Sequence, residues 1–388
     1  MGAGSLALPM LAAGPGFIWS SLFIGLTGIF SYYLAIYTLE IYMINKNGEN
    51  ASTIALRNFG KPGVIFAAVV NLALMYAVLT VYMTGGADLL TKTILPLINL
   101  NVTSQSGLVI FLLVFLPVFF KGTGVVVKSN TLIFYIKLIS FLLAIGLGLK
   151  FFSPAIVSAP FSNLNYLPRG LPIFFSALGF QFLVPILAQY NDYDRCRCRT
   201  ILACGILLPV ILYVLWIGVM LSLIPRTGAG NTFWLLLSNN ESVGTMIRYA
   251  THNNPQLPAL MKIALNVFSN VAMLTSFLAV GISLYEYIRD ALKIRQSIAG
   301  KILNLAITML PPIVFAFAYP NGFLLILQQV CIFLILVCMV PIAALLREYN
   351  LLEVRFSRLS IWLLLSICSL LIVLQLLDDC HFLPAFGF

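Results

Sequence analysis

Charged residues are scarce in this chain. Of its 388 residues, 12 are acidic and 22 are basic, so charged residues make up 9% of the sequence. An average soluble domain has about 25%. Hydrophobic residues make up 61%. So few charges cannot cover the surface of a water-soluble protein of this length, and so much apolar sequence does not stay disordered. The composition therefore excludes both a soluble enzyme and a disordered chain.

Residues with the spacing of a metal or catalytic site are also lacking. The chain has two histidines, and its seven cysteines include one close pair, Cys196 and Cys198. No second pair of cysteines or histidines stands at metal-binding spacing. The sequence contains no Walker motif, HExxH motif or nucleophile elbow, and no acid or histidine cluster within an apolar run. A membrane-embedded enzyme is therefore disfavoured, and we expect neither a metal nor a cofactor.

What the chain does have is a series of long apolar runs. A helix needs about 20 apolar residues to cross a bilayer, and these runs lack the alternation of β-barrel strands. They predict an all-α polytopic membrane protein. The predicted segments are 1–14, 17–44, 63–91, 107–120, 131–149, 170–188, 200–224, 258–288, 301–319, 322–345 and 360–379. The polar stretch 225–257 is expected to form short helices outside the membrane.

The basic residues predict how the chain is oriented. When segment 17–44 runs from outside to inside, lysines and arginines concentrate in the loops on the inner side, as at Arg195, Arg197 and Arg199. The positive-inside rule makes that side cytoplasmic and places the tail beyond residue 379 outside. The net charge of +10 is then explained by topology, without nucleic-acid binding.

Two apolar segments carry glycine and proline at matching places. The first has Gly2 and Gly4 before Pro9, and the sixth has Gly179 before Pro185. Glycine lowers the cost of unwinding a helix, and proline removes a backbone donor. Unwound backbone at membrane depth is tolerated only where it lines a cavity or is buried in protein. We therefore predict two broken helices, although packing glycines and kink prolines are also common in membrane helices.

The spacing of the two breaks predicts an internal repeat. They lie five segments apart, and an odd number of spans per half makes the halves inverted. We predict one transporter domain over residues 1–388, built of repeats 1–150 and 170–346 with an extra helix at 360–379. Paired broken helices in an inverted repeat indicate the central site of a transporter.

Several stretches resemble the hydroxy and aromatic amino acid permease family. The similar motifs are Gly2-Ala3-Gly4 with Leu8-Pro9 in the first helix, Leu74-Met75-Tyr76-Ala77 with Tyr82 and Gly85-Gly86-Ala87-Asp88 in the third, Gly179-Phe180 with Val184-Pro185 in the sixth, and Thr275-Ser276-Phe277-Leu278, Leu310-Pro311-Pro312 and Tyr319-Pro320-x-Gly322-Phe323 in the eighth to tenth. They occur in order along nearly the whole chain. The resemblance implies the leucine-transporter fold, with five plus five inverted helices and an eleventh. It also implies secondary active import of an aromatic amino acid, tyrosine first, across the bacterial inner membrane.

The first helix departs from the family pattern. The resemblance implies a longer stretch before Gly2-Ala3-Gly4, which would form the inner half of this helix, but the sequence begins at Met1, directly on the motif. We therefore expect a truncated first helix. Either translation starts further upstream or the protein lacks half of its inner gate. The second possibility keeps open a copy that does not transport.

The predicted substrate site follows from the chemistry of an amino acid. Its carboxylate needs free N–H groups at a helix N-terminus, where the dipole is positive. Its ammonium needs carbonyl oxygens, and its ring needs an apolar slot with a polar group for a phenol or an indole. The candidate residues are Gly2, Ala3, Gly4 and Ser5 for the carboxylate, Ser176 to Gly179 for the ammonium, Tyr76, Tyr82 and Phe180 for the ring, and Gln181 and Asn270 for its polar end. For any one of these aromatics, lipid or packing contact is the commoner explanation, since the chain has many aromatic residues.

Lys137 is the candidate for ion coupling. It lies inside the fifth apolar segment, where a charged lysine is costly and loses its proton more readily than in water. A lysine that gains and loses a proton inside a transporter is a natural coupling device. In proton-coupled relatives with the implied fold, a fifth-helix lysine stands where sodium-coupled relatives bind sodium. The alternative is a side chain that snorkels to the cytoplasmic face.

Thr275 and Ser276 favour sodium rather than the proton as the coupling ion. Neighbouring hydroxyls at this place resemble the sodium ligands of sodium-coupled relatives. We favour protons, because a lysine ammonium would repel sodium. Sodium-coupled uptake and a serine or threonine permease are the alternatives, and the oligomeric state is left open.

Two carboxylates near the ends of predicted membrane segments are further candidates for polar contacts. Glu40 lies at the inner end of the second segment, where we expect it to reach water or loop arginines. Asp88 lies near the outer end of the third segment, where it could form an outer-gate contact.

Overall fold

The computed structural model describes residues 3–44, 51–100, 102–120, 123–154, 156, 166–228, 230–239, 241–295, 297–320, 322–351, 357–380 and 382. Within these ranges the regular structure is helical throughout. The α-helices are α1 (Ala3–Ala12), α2 (Phe17–Ile44), α3 (Ala51–Leu89), α4 (Ser104–Phe120), α5 (Thr123–Gly148), α6 (Leu167–Ala177), α7 (Val184–Tyr190), α8 (Arg195–Leu223), α9 (Phe233–Ser238), α10 (Val243–His252), α11 (Ala259–Ala291), α12 (Ile298–Ala318), α13 (Phe323–Arg347) and α14 (Arg358–Asp379).

These helices confirm the all-α polytopic class. In the part of the chain that the structure describes, nine helical stretches are long and apolar enough to cross a membrane, and α6 with α7 counts as one of them. The shorter α4 and the ten-residue α1 supply the other two predicted segments. Helices α9 and α10 form in the polar stretch 225–257, as expected. The division into inverted repeats stays a prediction.

The third helix begins earlier than the sequence predicts. Helix α3 starts at Ala51 and bends at Gly60, which has a positive φ of 66°. L-residues with side chains rarely adopt this backbone conformation, and Pro62 cannot donate the backbone hydrogen bond that would straighten the bend. Arg57, which lies before the bend, forms an ion pair of 2.7 Å with Glu348 at the end of α13. The residues of α3 that precede the bend therefore attach this helix to the C-terminal end of α13.

Helix α1 lies in the centre of the bundle. Every residue from Ser5 to Ala13 is buried, although the helix has only ten residues. It packs against α6 and α8, while α3 packs along α11 and α13, and α11 packs along α5. An apolar helix that is covered on all sides belongs to the core rather than the lipid-facing surface. The start of α1 is therefore inside the protein.

Candidate functional site

The sixth membrane segment is broken in its middle, where Gly179 and Pro185 predict a break. Helix α6 ends at Ala177, a 3₁₀ turn follows at Gln181–Leu183, and α7 starts at Val184 with proline in its first turn. A Cβ at Gly179 would collide with the side chain of Leu334 on α13. Glycine therefore lets the Leu334 side chain pack closely against the break.

The start of α1 meets this break. A Cβ on Gly4 would lie 2.8 Å from the Ala177 Cα and 3.0 Å from its Cβ, so the missing side chain lets the two helices touch. The first turn of a helix has free N–H groups, and the last turn has free carbonyl groups. The contact therefore brings a positive and a negative helix end together. Gly2, which was predicted to take part, lies outside the described residues.

The carbonyl groups at the end of α6 already have donors. The Gly179 N–H donates to the Ser176 carbonyl at 3.0 Å, and the Ser176 hydroxyl donates back to the Ile173 carbonyl. The Ala177 carbonyl accepts a hydrogen bond of 3.2 Å from the Tyr213 hydroxyl on α8. Each carbonyl has a second lone pair, so these bonds leave room for another donor.

Tyr213 is a residue that the sequence reasoning missed. It stands in the apolar run of α8, where a tyrosine carries no local signal of a role, and only the fold brings it to the break. Tyr82 on α3 packs against the core cluster to which Tyr213 belongs. The structure thus places one predicted aromatic residue, Tyr82, against the same core cluster as α1 and α6.

The other predicted aromatic residues have partners elsewhere. The Tyr76 hydroxyl donates to the Ile307 carbonyl at 2.9 Å and so connects α3 with α12. Phe180 packs against the cluster formed by α2, α7 and the start of α8. Neither contact brings the ring to the Gly4–Ala177 junction.

The two predicted amides differ in their surroundings. Gln181 is 1% exposed; its Oε1 faces the Cys338 thiol, and its Nε2 has no hydrogen-bond partner among the described residues. Asn270 donates to the Thr93 hydroxyl at 2.8 Å and to the Asn266 carbonyl. Asn270 therefore joins α11 to the turn that follows α3, whereas Gln181 lies within the break itself.

Lys137 is buried and directed toward α11. Its Nζ lies 3.2 Å from the Thr275 hydroxyl, and it stands 5.2 Å from the centre of the Phe134 ring. Only 8% of the residue is exposed. The ammonium group therefore reaches a neighbouring helix rather than the cytoplasmic face. The structure brings together Lys137 and Thr275, which the sequence reasoning had assigned to rival coupling ions.

The far end of α1 is held by an arginine. Arg226, which follows α8, donates to the carbonyls of Ala13 at 2.6 Å and of Gly14 at 2.7 Å. A cation at a helix C-terminus is stabilising, because the dipole is negative there. Burial lowers the pKa of this guanidinium, but arginine titrates so far above neutral pH that it stays charged. Arg226 therefore fixes the C-terminal end of α1, which lies away from the break in the sixth segment.

At the C-terminal end of α3, Asp88 binds the start of α10. Its carboxylate accepts the Gly244 N–H at 2.8 Å and pairs with Lys92 at 3.2 Å. The Lys92 ammonium also donates to the hydroxyls of Ser242 and Thr245. These contacts fasten α10 onto α3, in the place where the sequence suggested a gate contact.

Near the C-terminal end of α2, Glu40 is 1% exposed and binds two arginines of α8. The distances are 3.1 Å to Arg195 and 2.8 Å to Arg199. This confirms the expected contact with arginines and ties α2 to the start of α8.

Comparison with known proteins agrees with this architecture. The profile of the tryptophan/tyrosine permease family matches residues 1–358. The chain belongs to this family. The permease is 31% identical to tyrosine-specific transport system 1 of Haemophilus influenzae, over 84% of this chain and 80% of the relative.

Two other relatives are named for different substrates. The permease is 26% identical to the tryptophan-specific transport protein of Shigella flexneri, over 84% of this chain and 78% of the relative. It is 25% identical to glutamine transporter 2 of Aliivibrio fischeri, over 88% of this chain and 84% of the relative. These matches confirm the predicted family and make the permease a multi-pass membrane transport protein rather than an enzyme.

Proposed function

We propose that this permease imports an aromatic amino acid, tyrosine first, across the bacterial inner membrane by proton symport. The observation that carries the proposal is the contact between Gly4 and Ala177. There, the N-terminal turn of one helix meets the C-terminal turn of another. The N–H groups of a first helical turn suit a carboxylate, and carbonyl oxygens with a second lone pair suit an ammonium. An amino acid has both groups on one carbon atom.

Tyrosine is preferred as the substrate for two reasons. The relative with 31% identity is named for tyrosine. The Gln181 Nε2 at the break is a buried donor without a partner, and such a group gains free energy from an acceptor. A phenol oxygen can accept this hydrogen bond, whereas an indole N–H only donates.

Proton coupling is supported by the environment of Lys137. A buried ammonium is stabilised by the Thr275 hydroxyl, and the neutral amine is favoured when the charge cannot be solvated. Either form fits the same place, so a proton can bind and leave. A sodium ion at Thr275 would stand next to the ammonium and be repelled. The proposal needs no cofactor and no metal ion.

The proposed orientation follows from the arginines at the start of α8. Arg195 and Arg199 lie at one end of the bundle with Glu40, and the positive-inside rule assigns that end to the cytoplasm. Helix α10 and the C-terminal tail are then on the outer side.

The test is transport by the purified permease in liposomes. We expect uptake of labelled tyrosine driven by an inward proton gradient without sodium, and we expect a protonophore to abolish it. Excess unlabelled tyrosine should compete best, ahead of tryptophan, phenylalanine, glutamine and serine. Uptake that needs sodium and survives the protonophore would overturn the coupling ion. Stronger competition by glutamine or serine would overturn the substrate.

A further inference from the structure

We propose that Asp378 of α14 is a positioning residue, which holds the start of α6 and so controls how readily the amino acid site at the other end of α6 opens. The inference rests on the proposed function, since it takes the end of α6 as the amino acid site. It gives a role to α14, which begins at residue 358, where the match to the family profile ends.

The carboxylate of Asp378 joins three helices. Asp378 lies in the last turn of α14 and is 5% exposed. One of its oxygens lies 3.0 Å from Nε of Arg169, in the first turn of α6. The other accepts a hydrogen bond of 2.7 Å from Nε2 of Gln328 on α13. Because donor and acceptor are both charged, the bond to Arg169 is stronger than one between neutral groups.

Helix α14 is itself fixed at both ends. Near its start, the Ser360 hydroxyl accepts a hydrogen bond of 2.7 Å from Tyr37 of α2. Near its end, the Asp379 carboxylate accepts one of 2.8 Å from Gln329 of α13. The place of α14 is therefore set by α2 and α13. The pair between Asp378 and Arg169 then restrains α6 rather than α14.

This restraint acts on the amino acid site through α6. Arg169 and Ala177 belong to the same short helix, and the rise of an α-helix places them about 12 Å apart along its axis. Ala177 is the residue that Gly4 touches. A displacement of the start of α6 therefore changes the contact between Ala177 and Gly4.

One of the two helix ends has to move before an amino acid can enter between them. No side chain separates Gly4 from Ala177. Helix α1 is covered on all sides, and Arg226 holds its C-terminal end. The Arg169 side chain, by contrast, is 25% exposed, so water can hydrate its charge when the ion pair separates. We therefore assign the movement to α6.

A native cysteine can report this movement without any transport. The Cys331 thiol of α13 is fully buried and donates to the Pro172 carbonyl of α6. Modification by N-ethylmaleimide requires α6 to leave this thiol. The reference is Cys198 of α8, which is also fully buried but faces the Leu187 carbonyl of α7. Mass spectrometry of peptides from the purified permease gives the rate at each cysteine.

The first test is the labelling rate in Asp378→Asn, which keeps the size of the side chain and removes its charge. We expect Cys331 to react about tenfold faster than in the wild type, the size expected for the loss of a charge-assisted hydrogen bond, with little change at Cys198. The matched control is Asp379→Asn. Its carboxylate binds Gln329 and Gln375, so its loss leaves the pair with Arg169 in place and should not change the rate.

A second variant removes the same ion pair from its other side. Arg169→Gln should accelerate the labelling of Cys331 as Asp378→Asn does, and the double variant should react no faster than either, since the two residues act through one contact. Should Asp378→Asn fail to fold, Arg169→Gln decides. An unchanged rate at Cys331, or equal acceleration at Cys331 and Cys198, overturns the inference.

Transport kinetics separate positioning from a loss of folded protein. We expect Asp378→Asn to raise the half-saturating tyrosine concentration about tenfold with little change in the maximal rate, because the closed site is less populated and the apparent affinity falls with its population. Asp379→Asn should behave like the wild type. A lower maximal rate with unchanged half-saturation would mean that Asp378 only supports folding, and it overturns the inference.

Failure of the proposed function is detected separately. It is measured as uptake by the wild-type permease, whereas the labelling of Cys331 needs neither substrate nor proton gradient. A wild type without uptake overturns the proposed function. A wild type that takes up tyrosine, beside an Asp378→Asn variant with normal labelling and normal half-saturation, overturns this inference alone.

Discussion

Gly4 and Ala177 lie in direct contact, so that the first turn of α1 and the last turn of α6 touch without an intervening side chain. An added Cβ at position 4 would stand 2.8 Å from the Ala177 Cα, which is backbone and cannot rotate away. The two helix ends therefore keep their polar groups close together only as long as residue 4 is glycine.

Adding a side chain at Gly4 should separate these helix ends. We expect Gly4→Ala to weaken tyrosine binding by about tenfold, since overpacking typically costs 1–3 kcal/mol, and Gly4→Leu to abolish it. Binding of labelled tyrosine to the purified permease measures the effect. Gly25→Ala on α2 is the control, because a Cβ there meets nothing within 4 Å. Wild-type affinity in Gly4→Leu would rule out a site at this contact.

Removing the charge at Lys137 should uncouple transport from the proton gradient. Lys137→Met keeps a long side chain but removes the ammonium that donates a hydrogen bond to the Thr275 hydroxyl. We expect accumulation under a proton gradient to be lost while some exchange persists, and uptake should no longer rise as the outside pH falls. Lys150→Met, an exposed lysine just beyond α5, should behave like the wild type. Unchanged accumulation in Lys137→Met would contradict a proton role.

Asp88 is expected to stabilise the attachment of α10. Asp88→Ala removes the partner of Lys92 and the acceptor of the Gly244 N–H. The loss should lower the free energy of unfolding by about 2 kcal/mol, because it leaves a partly buried ammonium with fewer partners. Thermal unfolding of the purified permease measures the change. The control is Glu286→Gln, whose ion pair with Arg289 is more exposed and 3.6 Å long, and equal melting temperatures of the two variants would contradict the prediction.

A side chain at position 179 should destabilise the folded permease, and shortening Leu334 should restore part of the lost stability. Gly179→Ala places a Cβ against the Leu334 side chain. Because such overpacking typically costs about 1–3 kcal/mol, we expect lower stability and lower uptake. Leu334→Ala alone should destabilise by about 2–5 kcal/mol, the usual cost of such a cavity. In the double variant the new Cβ occupies part of that cavity, and it should be more stable than the sum of the single effects. Strict additivity of the two changes would show that this contact does not matter.

The sequence predicts the break in the sixth segment because its cause is local. Gly179 and Pro185 act on their own backbone, and the structure has the irregular stretch between Ala177 and Val184. The bend at Gly60 is equally local, yet the apolar count placed the start of the third segment at residue 63. Hydropathy locates the membrane core better than the ends of a helix.

The direction of single side chains is much harder to predict from this sequence. Tyr76 and Tyr82 lie on the same helix, but the Tyr76 hydroxyl bonds to α12, whereas Tyr82 packs against the core cluster that contains Tyr213. A helix that is apolar all round shows no periodicity from which its facing sides can be read. Tyr213 was missed for the same reason, since its partner Ala177 is 36 residues away.

Arg226, at the C-terminal end of α1, affects which molecules we expect the permease not to transport. Arg226 neutralises the negative end of this helix through the Ala13 and Gly14 carbonyls, so the positive end beside Ala177 dominates the field of α1. An aromatic amine that has lost its carboxyl group by decarboxylation offers no negative charge to that end and adds a cation near it. We therefore expect tyramine to be excluded, so that a cell could release such an amine without taking it back through the same protein.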